Sequence, residues 1–292
     1  MTDRSGQVGS GHVGEVRRAA VLGSPIAHSL SPVLHRAAYA AMGLDGWRYD
    51  AVECGEDGLA RLLDGLGPEW AGLSLTMPLK RVALKLADSV SELAERVGGA
   101  NTLVFRDGRR HADNTDVHGI VTALAEAGLG SPGSALVLGG GATAASALAA
   151  LAALGLDAAV LAVRDPGRAS QAAEVGERCG LAVRVVTLDR VADHLPAGLV
   201  VSTLPGRAAD AFAGPVAASG AALFDVVYAP WPTALAAAVE RAGGTVVGGF
   251  EMLLHQAVRQ VELMTGRDEV PVAAMREAGE AELARRAATA GG

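Results

Sequence analysis

Ala135-Leu-Val-Leu-Gly139-Gly140-Gly141-Ala142-Thr143-Ala144 is a short apolar run that ends in three consecutive glycines. A helical pattern follows as far as Leu154, and a second apolar run begins at Ala159. This order of strand, turn, helix and strand predicts a βαβ unit. Gly139 permits the tight turn, Gly141 lets backbone amides approach a pyrophosphate, and the helix N-terminus favours negative charge. We therefore predict a dinucleotide here; an ordinary glycine-rich turn is the alternative.

Strand-like and helix-like segments alternate on both sides of this turn, which predicts an α/β fold with parallel strands. Helical pattern is expected over 78–86, with Pro78 in the first turn, and again over 89–97. A further helix is expected from Asp116 to Ala127, and without other information Asp116 is its N-cap. The segment 128–133 then breaks the pattern. We take it as a candidate domain junction.

The composition excludes several classes of function. The chain has 292 residues, a net charge of −7 and a pI near 5.5, which argues against a general nucleic-acid binder. Cys54 and Cys179 lie far apart without a CxxC motif, so we expect no metal site, no disulfide framework and a cytoplasmic protein. Glycines interrupt the apolar run 134–156, so we predict a buried strand, loop and helix and no membrane association.

Lys80 stands out because the chain otherwise avoids lysine: of its 25 basic residues, only Lys80 and Lys85 are not arginine. It closes the run Gly72-Leu-Ser-Leu-Thr76-Met-Pro-Leu-Lys80, in which an apolar strand meets a proline. Arginine stays protonated at working pH, whereas its surroundings can tune a lysine amine to exchange a proton. Lys80 is therefore a candidate for acid/base chemistry. A surface lysine at a helix start is the alternative.

The end of the second strand bears on the choice of dinucleotide. An acidic residue there accepts hydrogen bonds from the ribose 2′-hydroxyl of NAD, whereas a guanidinium suits the 2′-phosphate of NADP. Arg164 comes first and Asp165 follows it. We predict NADP, with NAD as the alternative if the Asp165 carboxylate points at the ribose.

Several motifs together resemble the shikimate dehydrogenase family. Gly23-Ser-Pro-Ile-Ala-His-Ser29-Leu-Ser31-Pro-Val-Leu-His35 resembles its opening signature, and 72–80 its catalytic segment. Gly99-Ala-Asn101-Thr, Asp113-Asn-Thr-Asp116-Val-His-Gly119 and Gly249-Phe-Glu-Met-Leu-Leu-His-Gln256 follow in the right order. The resemblance spans roughly residues 18–285.

The resemblance implies NADPH-dependent reduction of 3-dehydroshikimate to shikimate, a step towards aromatic amino acids. It also implies an N-terminal α/β substrate-binding domain and a Rossmann-like doubly wound dinucleotide-binding domain, with a cleft between them. We assign 17–118, completed by C-terminal helices in 250–288, to the first domain and 119–249 to the second. Residues 1–16 are expected to be a disordered leader.

The resemblance also assigns roles to single residues. Lys80 and Asp116 are the implied catalytic pair, in which the carboxylate orients the lysine and favours its charged form. The implied substrate-binding residues are Ser29, Ser31, Thr76, Asn101, Asp116, Tyr228 and Gln256. The implied cofactor-binding residues are Gly139, Gly140, Gly141, Ala142, Thr143, Arg164, Val226, Gly249 and Glu92.

Some alternatives stay open. Ser29 and Ser31 come shortly before Pro32 at a predicted helix start, and serine at such positions is also a good helix cap. Ser74 stands where this family usually has asparagine, so the polar side chain at this position is shorter. The chain could be a quinate/shikimate or aminoshikimate dehydrogenase that uses NAD, or a sensor that binds without turnover. A monomer or a homodimer is expected.

Overall fold

The first half of the chain forms a six-stranded mixed sheet with helices around it. The computed structural model describes residues 16–290, so the expected leader lies outside the described residues except for Val16. The strands are β1 (Arg17–Gly23), β2 (Trp47–Glu53), β3 (Trp70–Leu75), β4 (Ser89–Val90), β5 (Thr102–Arg106) and β6 (Arg109–Asp113), and the helices are α1 (Ser31–Ala41), α2 (Glu56–Asp64), α3 (Lys80–Leu86), α4 (Glu92–Val97) and α5 (Asp116–Glu126).

The strand order in this first sheet is β2-β1-β3-β5-β6-β4. β1 pairs in parallel with β2 and β3, whereas β5 runs antiparallel to β3 and forms a hairpin with β6. The carboxyl ends of β1 and β3 therefore meet at one edge, where Gly23 and Leu75 end their strands. This edge positions the loops that follow both strands.

The second half forms a parallel sheet. Its strands are β7 (Ala135–Leu138), β8 (Ala158–Val163), β9 (Ala182–Thr187), β10 (Leu199–Ser202), β11 (Ala222–Asp225) and β12 (Val246–Gly248), and its helices are α6 (Ala142–Ala153), α7 (Ser170–Arg178), α8 (Ala213–Ser219) and α9 (Ala234–Arg241). Two long helices, α10 (Gly249–Thr265) and α11 (Val272–Ala290), close the described chain.

The order in the second sheet is β12-β11-β10-β7-β8-β9, which is doubly wound. The direction of winding reverses between β7 and β10, and ligands bind in open α/β sheets outside the carboxyl ends of the strands at such a point. Gly139 follows β7, and Thr203 follows β10 and donates its amide to Leu138 O at 2.8 Å. The predicted α/β architecture and the βαβ unit are confirmed.

Two local predictions are wrong. Pro78 lies in the turn before α3, where Leu79 N donates to Thr76 O at 2.9 Å, and the helix begins at Lys80. The segment 89–97 is not one helix, because Ser89 and Val90 pair in parallel with β6. Ser91 then caps α4 by accepting from Ala94 N at 3.2 Å.

The long C-terminal helices pack against the first half of the chain, and α10 also contacts β12 of the second sheet. α10 packs against α5, and a Cβ on Gly119 of α5 would lie 2.6 Å from Met252 O, so glycine permits this close approach. Arg276 of α11 donates to Glu251 at 2.6 Å and to Glu126 at 3.3 Å, which links α11 to α10 and α5. No helix within residues 16–290 combines the length and the apolar character needed to cross a membrane.

Candidate active site

A cavity of about 360 Å³ lies where the loops after β1 and β3 face the start of α10. Every residue predicted to bind the substrate lines it, together with Lys80: Ser29, Ser31, Thr76, Asn101, Asp116, Tyr228 and Gln256. Three residues predicted on the cofactor side, Thr143, Val226 and Gly249, line it as well. One cavity therefore brings together motifs from both halves of the chain.

Lys80 and Asp116 form an ion pair inside this cavity. Lys80 Nζ lies 2.6 Å from Asp116 Oδ2, and the two side chains are 23% and 8% exposed. Asp116 is not the N-cap of α5, contrary to the expectation without other information. Asn114 Oδ1 accepts from the amides of Asp116 and Val117 at 3.0 and 3.4 Å instead. The Asp116 carboxylate therefore does not cap the helix, and one of its oxygens pairs with the lysine.

Asn101 fixes the position of Asp116 in this pair by hydrogen bonds. Its Nδ2 donates to Asp116 Oδ1 at 2.8 Å and to Thr115 Oγ1 at 3.0 Å. Its Oδ1 accepts from Thr115 N at 2.7 Å, and this contact settles which side of the amide is oxygen. Asn101 is 2% exposed, so its orientation is set by protein groups rather than by solvent.

A second buried network continues from Asn101 along α10. Gln260 Nε2 donates to Asn101 O at 3.2 Å, and Gln260 Oε1 accepts from Ser74 Oγ at 2.8 Å. The Tyr49 hydroxyl donates to Ser74 Oγ at 2.6 Å, so the serine takes part in a completed chain of hydrogen bonds. Sequence reasoning missed Gln260, although it lies four residues after Gln256 and hence on the same helix face.

Ser29 and Ser31 lie at the start of α1. Ser29 Oγ accepts from Ser31 N at 3.2 Å, a cap-like contact that leaves its hydroxyl proton available. Arg286 of α11 donates to His28 O at 2.6 Å and to Ser29 O at 3.4 Å, which fixes this loop. Burial raises the pKa of Tyr228, and nearby Arg286 opposes that shift. Tyr228 is therefore a neutral hydroxyl donor at working pH.

The glycine turn fits a phosphate group. Gly139 has φ +104°, and a Cβ there would lie 2.5 Å from Thr203 Oγ1, so only glycine suits the position. Gly141 is the N-cap of α6 and provides no side-chain cap, and a Cβ there would meet nothing within 4 Å. The first amides of α6 are therefore not capped by a side chain, and no atom crowds Gly141, as anion binding at a helix N-terminus requires.

Arg164 lines a second cavity of about 720 Å³ beside Gly139 and Gly140. The neighbouring Asp165 Oδ1 accepts from Gly167 N at 3.0 Å and so caps the turn that follows. Leu188 and Leu204 provide apolar walls that sequence reasoning missed. Leucines this common in the chain carry no signal until the fold places them beside the glycine turn.

Gly141 and Ala142 line a third cavity, of about 290 Å³. Glu92, another predicted cofactor residue, lines none of these three cavities. It lies in the first turn of α4, its side chain is 77% exposed, and its carboxylate pairs with Arg96 one turn later. Its role at the cofactor stays a prediction without support from this geometry.

Sequence comparison with known proteins identifies shikimate dehydrogenases as similar to this chain. The sequence model of the shikimate dehydrogenase substrate binding domain matches residues 21–103, and that of the shikimate 5′-dehydrogenase C-terminal domain matches residues 249–278. The chain is 37% identical over 262 residues to a protein of Caulobacter vibrioides named shikimate dehydrogenase (NADP(+)), which covers 86% of this chain and 90% of that protein.

Two solved structures are similar over most of the chain. The shikimate dehydrogenase of Mycobacterium tuberculosis has 46% identity and a TM-score of 0.85, covering 91% of this chain and 99% of that one. The shikimate 5-dehydrogenase of Thermus thermophilus in complex with NADP(H) and shikimate has 33% identity and a TM-score of 0.79, covering 90% and 98%. This chain belongs to the shikimate dehydrogenase family.

Proposed function

We propose that this protein is an NADP-dependent oxidoreductase that reversibly reduces 3-dehydroshikimate to shikimate, within aromatic amino acid biosynthesis. One observation carries the proposal: the Lys80–Asp116 pair, 2.6 Å apart, lines the same cavity as Ser29, Ser31 and the nucleotide-side residue Val226. A proton donor, short polar groups for a carboxylate and a nucleotide-side wall therefore surround a single space.

Lys80 supplies the proton and electrostatic help. When the substrate ketone becomes an alcohol, its oxygen gains negative charge and needs a proton, and an ammonium aimed at it provides both stabilisation and the proton. Asp116 orients the ammonium through one oxygen, while its other oxygen is held by Asn101. Solvent restores the lysine proton after each turnover.

The substrate is a small ring with one carboxylate and several hydroxyls. We assign the carboxylate to Ser29, Ser31 and Tyr228, and the hydroxyls to Thr76, Asn101 and Gln256. Buried polar groups of this kind reject analogues that lack a hydroxyl, because the protein's own groups would then be left unpaired. The completed hydrogen bonds around Asn101 support such selection, since few of its partners can rearrange.

NADPH supplies a hydride when it is bound. We assign its pyrophosphate to residues 139–143, where no side chain caps the first amides of α6, and its 2′-phosphate to Arg164. Asp165 caps the next turn, which supports NADP over NAD at this position. Val226 and Gly249 would line the nicotinamide. A Cβ on Gly249 would lie 1.9 Å from Val226 O, so glycine allows the two segments to touch.

The remaining assignments are part of the same proposal. We propose a substrate-binding domain from 17–118 with the C-terminal helices, a nucleotide-binding domain from 119–249, and a cytoplasmic monomer or homodimer. Both described cysteines, Cys54 and Cys179, are free, which is consistent with a reducing compartment. Sedimentation equilibrium would decide between monomer and dimer.

Initial rates test the proposed reaction. We expect oxidation of shikimate with NADP⁺ to have the highest kcat/KM among four combinations of shikimate or quinate with NADP⁺ or NAD⁺. A higher kcat/KM for quinate with NAD⁺ would instead identify a quinate-type enzyme. If the protein binds these ligands but turns over none of the four combinations, it is a sensor, and the role given to Lys80 is contradicted.

A further inference from the structure

Arg81 follows Lys80 directly, and both line a cavity on the nucleotide side, but only Lys80 also lines the substrate cavity. Lys80 is partly buried at the start of α3, whereas Arg81 is exposed. Arg81 lines a cavity of about 290 Å³ together with Gly140, Gly141 and Ala142. The substrate-binding half of the chain thus presents a guanidinium to the cavity that the phosphate-binding turn also lines.

The charge of Arg81 is less compensated than the charges beside it. Lys80 pairs with Asp116, and Arg178, which lines the same cavity, lies 3.9 Å from Glu174. Arg81 instead donates to the neutral amide oxygen of Gln171, on α7 of the nucleotide-binding half. A charged donor held by a neutral acceptor gains when an anion becomes available, because charge-assisted hydrogen bonds are about twice as strong.

The pyrophosphate of a dinucleotide is such an anion. The first amides of α6 begin at Gly141 without a side-chain cap, so they provide one side of an anion site. Peptide dipoles at a helix terminus amount to about half a unit charge, which leaves most of a pyrophosphate charge uncompensated. Arg81 is placed to supply positive charge from the opposite side.

We propose that Arg81 is a cofactor-binding residue that donates to the pyrophosphate of NADP(H) from the substrate-binding half, exchanging Gln171 for the phosphate. This inference rests on the proposed function only in that the chain binds a dinucleotide. Because Arg81 and Lys80 are consecutive in one helix turn, the same contact would hold the proton donor in register with the cofactor.

Binding measurements test this without turnover. We would titrate NADP⁺, NAD⁺ and adenosine 2′-monophosphate by calorimetry into the full chain. Arg81→Ala should weaken NADP⁺ and NAD⁺ by the same factor, about tenfold, since both carry the pyrophosphate and one partly exposed charge-assisted bond is lost. Binding of adenosine 2′-monophosphate, which has no pyrophosphate, should change less than twofold. Arg81→Lys, which keeps the charge but not the fork, should fall between.

Three comparison variants make the result specific. Lys85→Ala removes the same charge from an exposed position on the same helix and should leave all three affinities unchanged. Arg164→Ala should weaken NADP⁺ and adenosine 2′-monophosphate but not NAD⁺. Gln171→Ala should leave NADP⁺ affinity unchanged or increase it, because the competing acceptor is gone.

Several outcomes would overturn the inference. If Gln171→Ala weakens NADP⁺ as much as Arg81→Ala, the two residues form only a link between the halves. Equal effects of Arg81→Ala and Lys85→Ala would mean a general charge effect, and weakened adenosine 2′-monophosphate binding would mean a disturbed nucleotide half. Failure of the unsubstituted chain to bind either dinucleotide would reject the proposed function itself, which is a separate result.

Discussion

The two sides of the cleft differ in how far their polar groups are already paired. On the substrate side, Asn101 and Asp116 are buried, and each is held by hydrogen bonds from protein groups. On the nucleotide side, Arg164 is exposed and the first turn of α6 has no side-chain cap. The polar groups of the substrate side are therefore preorganised by the protein, whereas the nucleotide side offers an exposed charge and helix amides without a side-chain cap.

The difference matches what each ligand provides. A small polyol is recognised through neutral groups, so its site gains selectivity when every protein group has a fixed direction. A dinucleotide carries several negative charges. Exposed cations and helix amides attract these charges before the ligand makes close contacts with the protein. Substitutions on the substrate side should therefore act on turnover and selectivity, and those on the nucleotide side on affinity and salt dependence.

The largest effect is expected for Lys80→Ala. Loss of the proposed proton donor should lower kcat by about 10²–10⁴-fold, the usual contribution of a positioned acid/base group. Shikimate binding, measured by calorimetry, should change much less than kcat. Lys85→Ala is the matched control and should retain full activity, and an unchanged kcat in Lys80→Ala would remove this lysine from the mechanism.

Asn101→Ala should have the next largest effect. It removes one proposed substrate contact and leaves Asp116 Oδ1 and Thr115 N without their partner, at about 1–3 kcal/mol for each buried group. We expect kcat/KM for shikimate to fall about 100-fold, while the Kd of NADP⁺ stays within twofold. Parallel losses in both quantities would show that the two sides are not independent.

His35 makes the substrate side sensitive to acid. It is fully buried, stacks on Tyr49 with ring centroids 3.9 Å apart, and contacts Ser31 O at 2.9 Å. Burial lowers the pKa of His35 to about 4, against the opposing effect of the Ser31 hydrogen bond. The unfolded chain, with an ordinary pKa near 6.5, therefore binds more protons between these values, and stability falls as pH decreases through that range.

The expected loss from His35 is about 2 kcal/mol in the free energy of unfolding between pH 7.5 and pH 5. Urea unfolding of the parent and of His35→Gln at both pH values measures it, and the variant should lose less stability on acidification. His194→Gln serves as the control. An identical pH dependence in His35→Gln and the parent would contradict this account.

The smallest effect is expected for Arg164→Ala. An exposed guanidinium on a phosphate contributes about tenfold in affinity, and salt screens it. The Kd of NADP⁺ should rise by that factor at low salt and by less at high salt, while the Kd of NAD⁺ stays constant. Arg184→Ala, an exposed residue of β9, is the matched charge control. An effect that does not depend on salt would mean that Arg164 acts through packing.

Local signals predicted much of the site. The run ending at Lys80 and the glycine turn after β7 were readable because turn chemistry and strand length depend on neighbouring residues. The prediction of one helix over 89–97 failed because a contact between distant residues determines the structure there. Ser89 and Val90 form β4 by pairing with β6. Glu92 has the expected spacing from Lys80, but its side chain is largely exposed and pairs with Arg96. Spacing alone does not give direction.

The sequence by itself determined the α/β architecture, the glycine turn after β7 and the chemical types of the site residues, because periodicity, glycine conformations and side-chain chemistry are local properties. Only the tertiary structure decided which of these groups meet. Asn101 and Gln256 are 155 residues apart, and Arg286 reaches Ser29 across 257 residues. Such contacts follow from the packing of α10 and α11 against distant elements, and no local pattern in the chain encodes them.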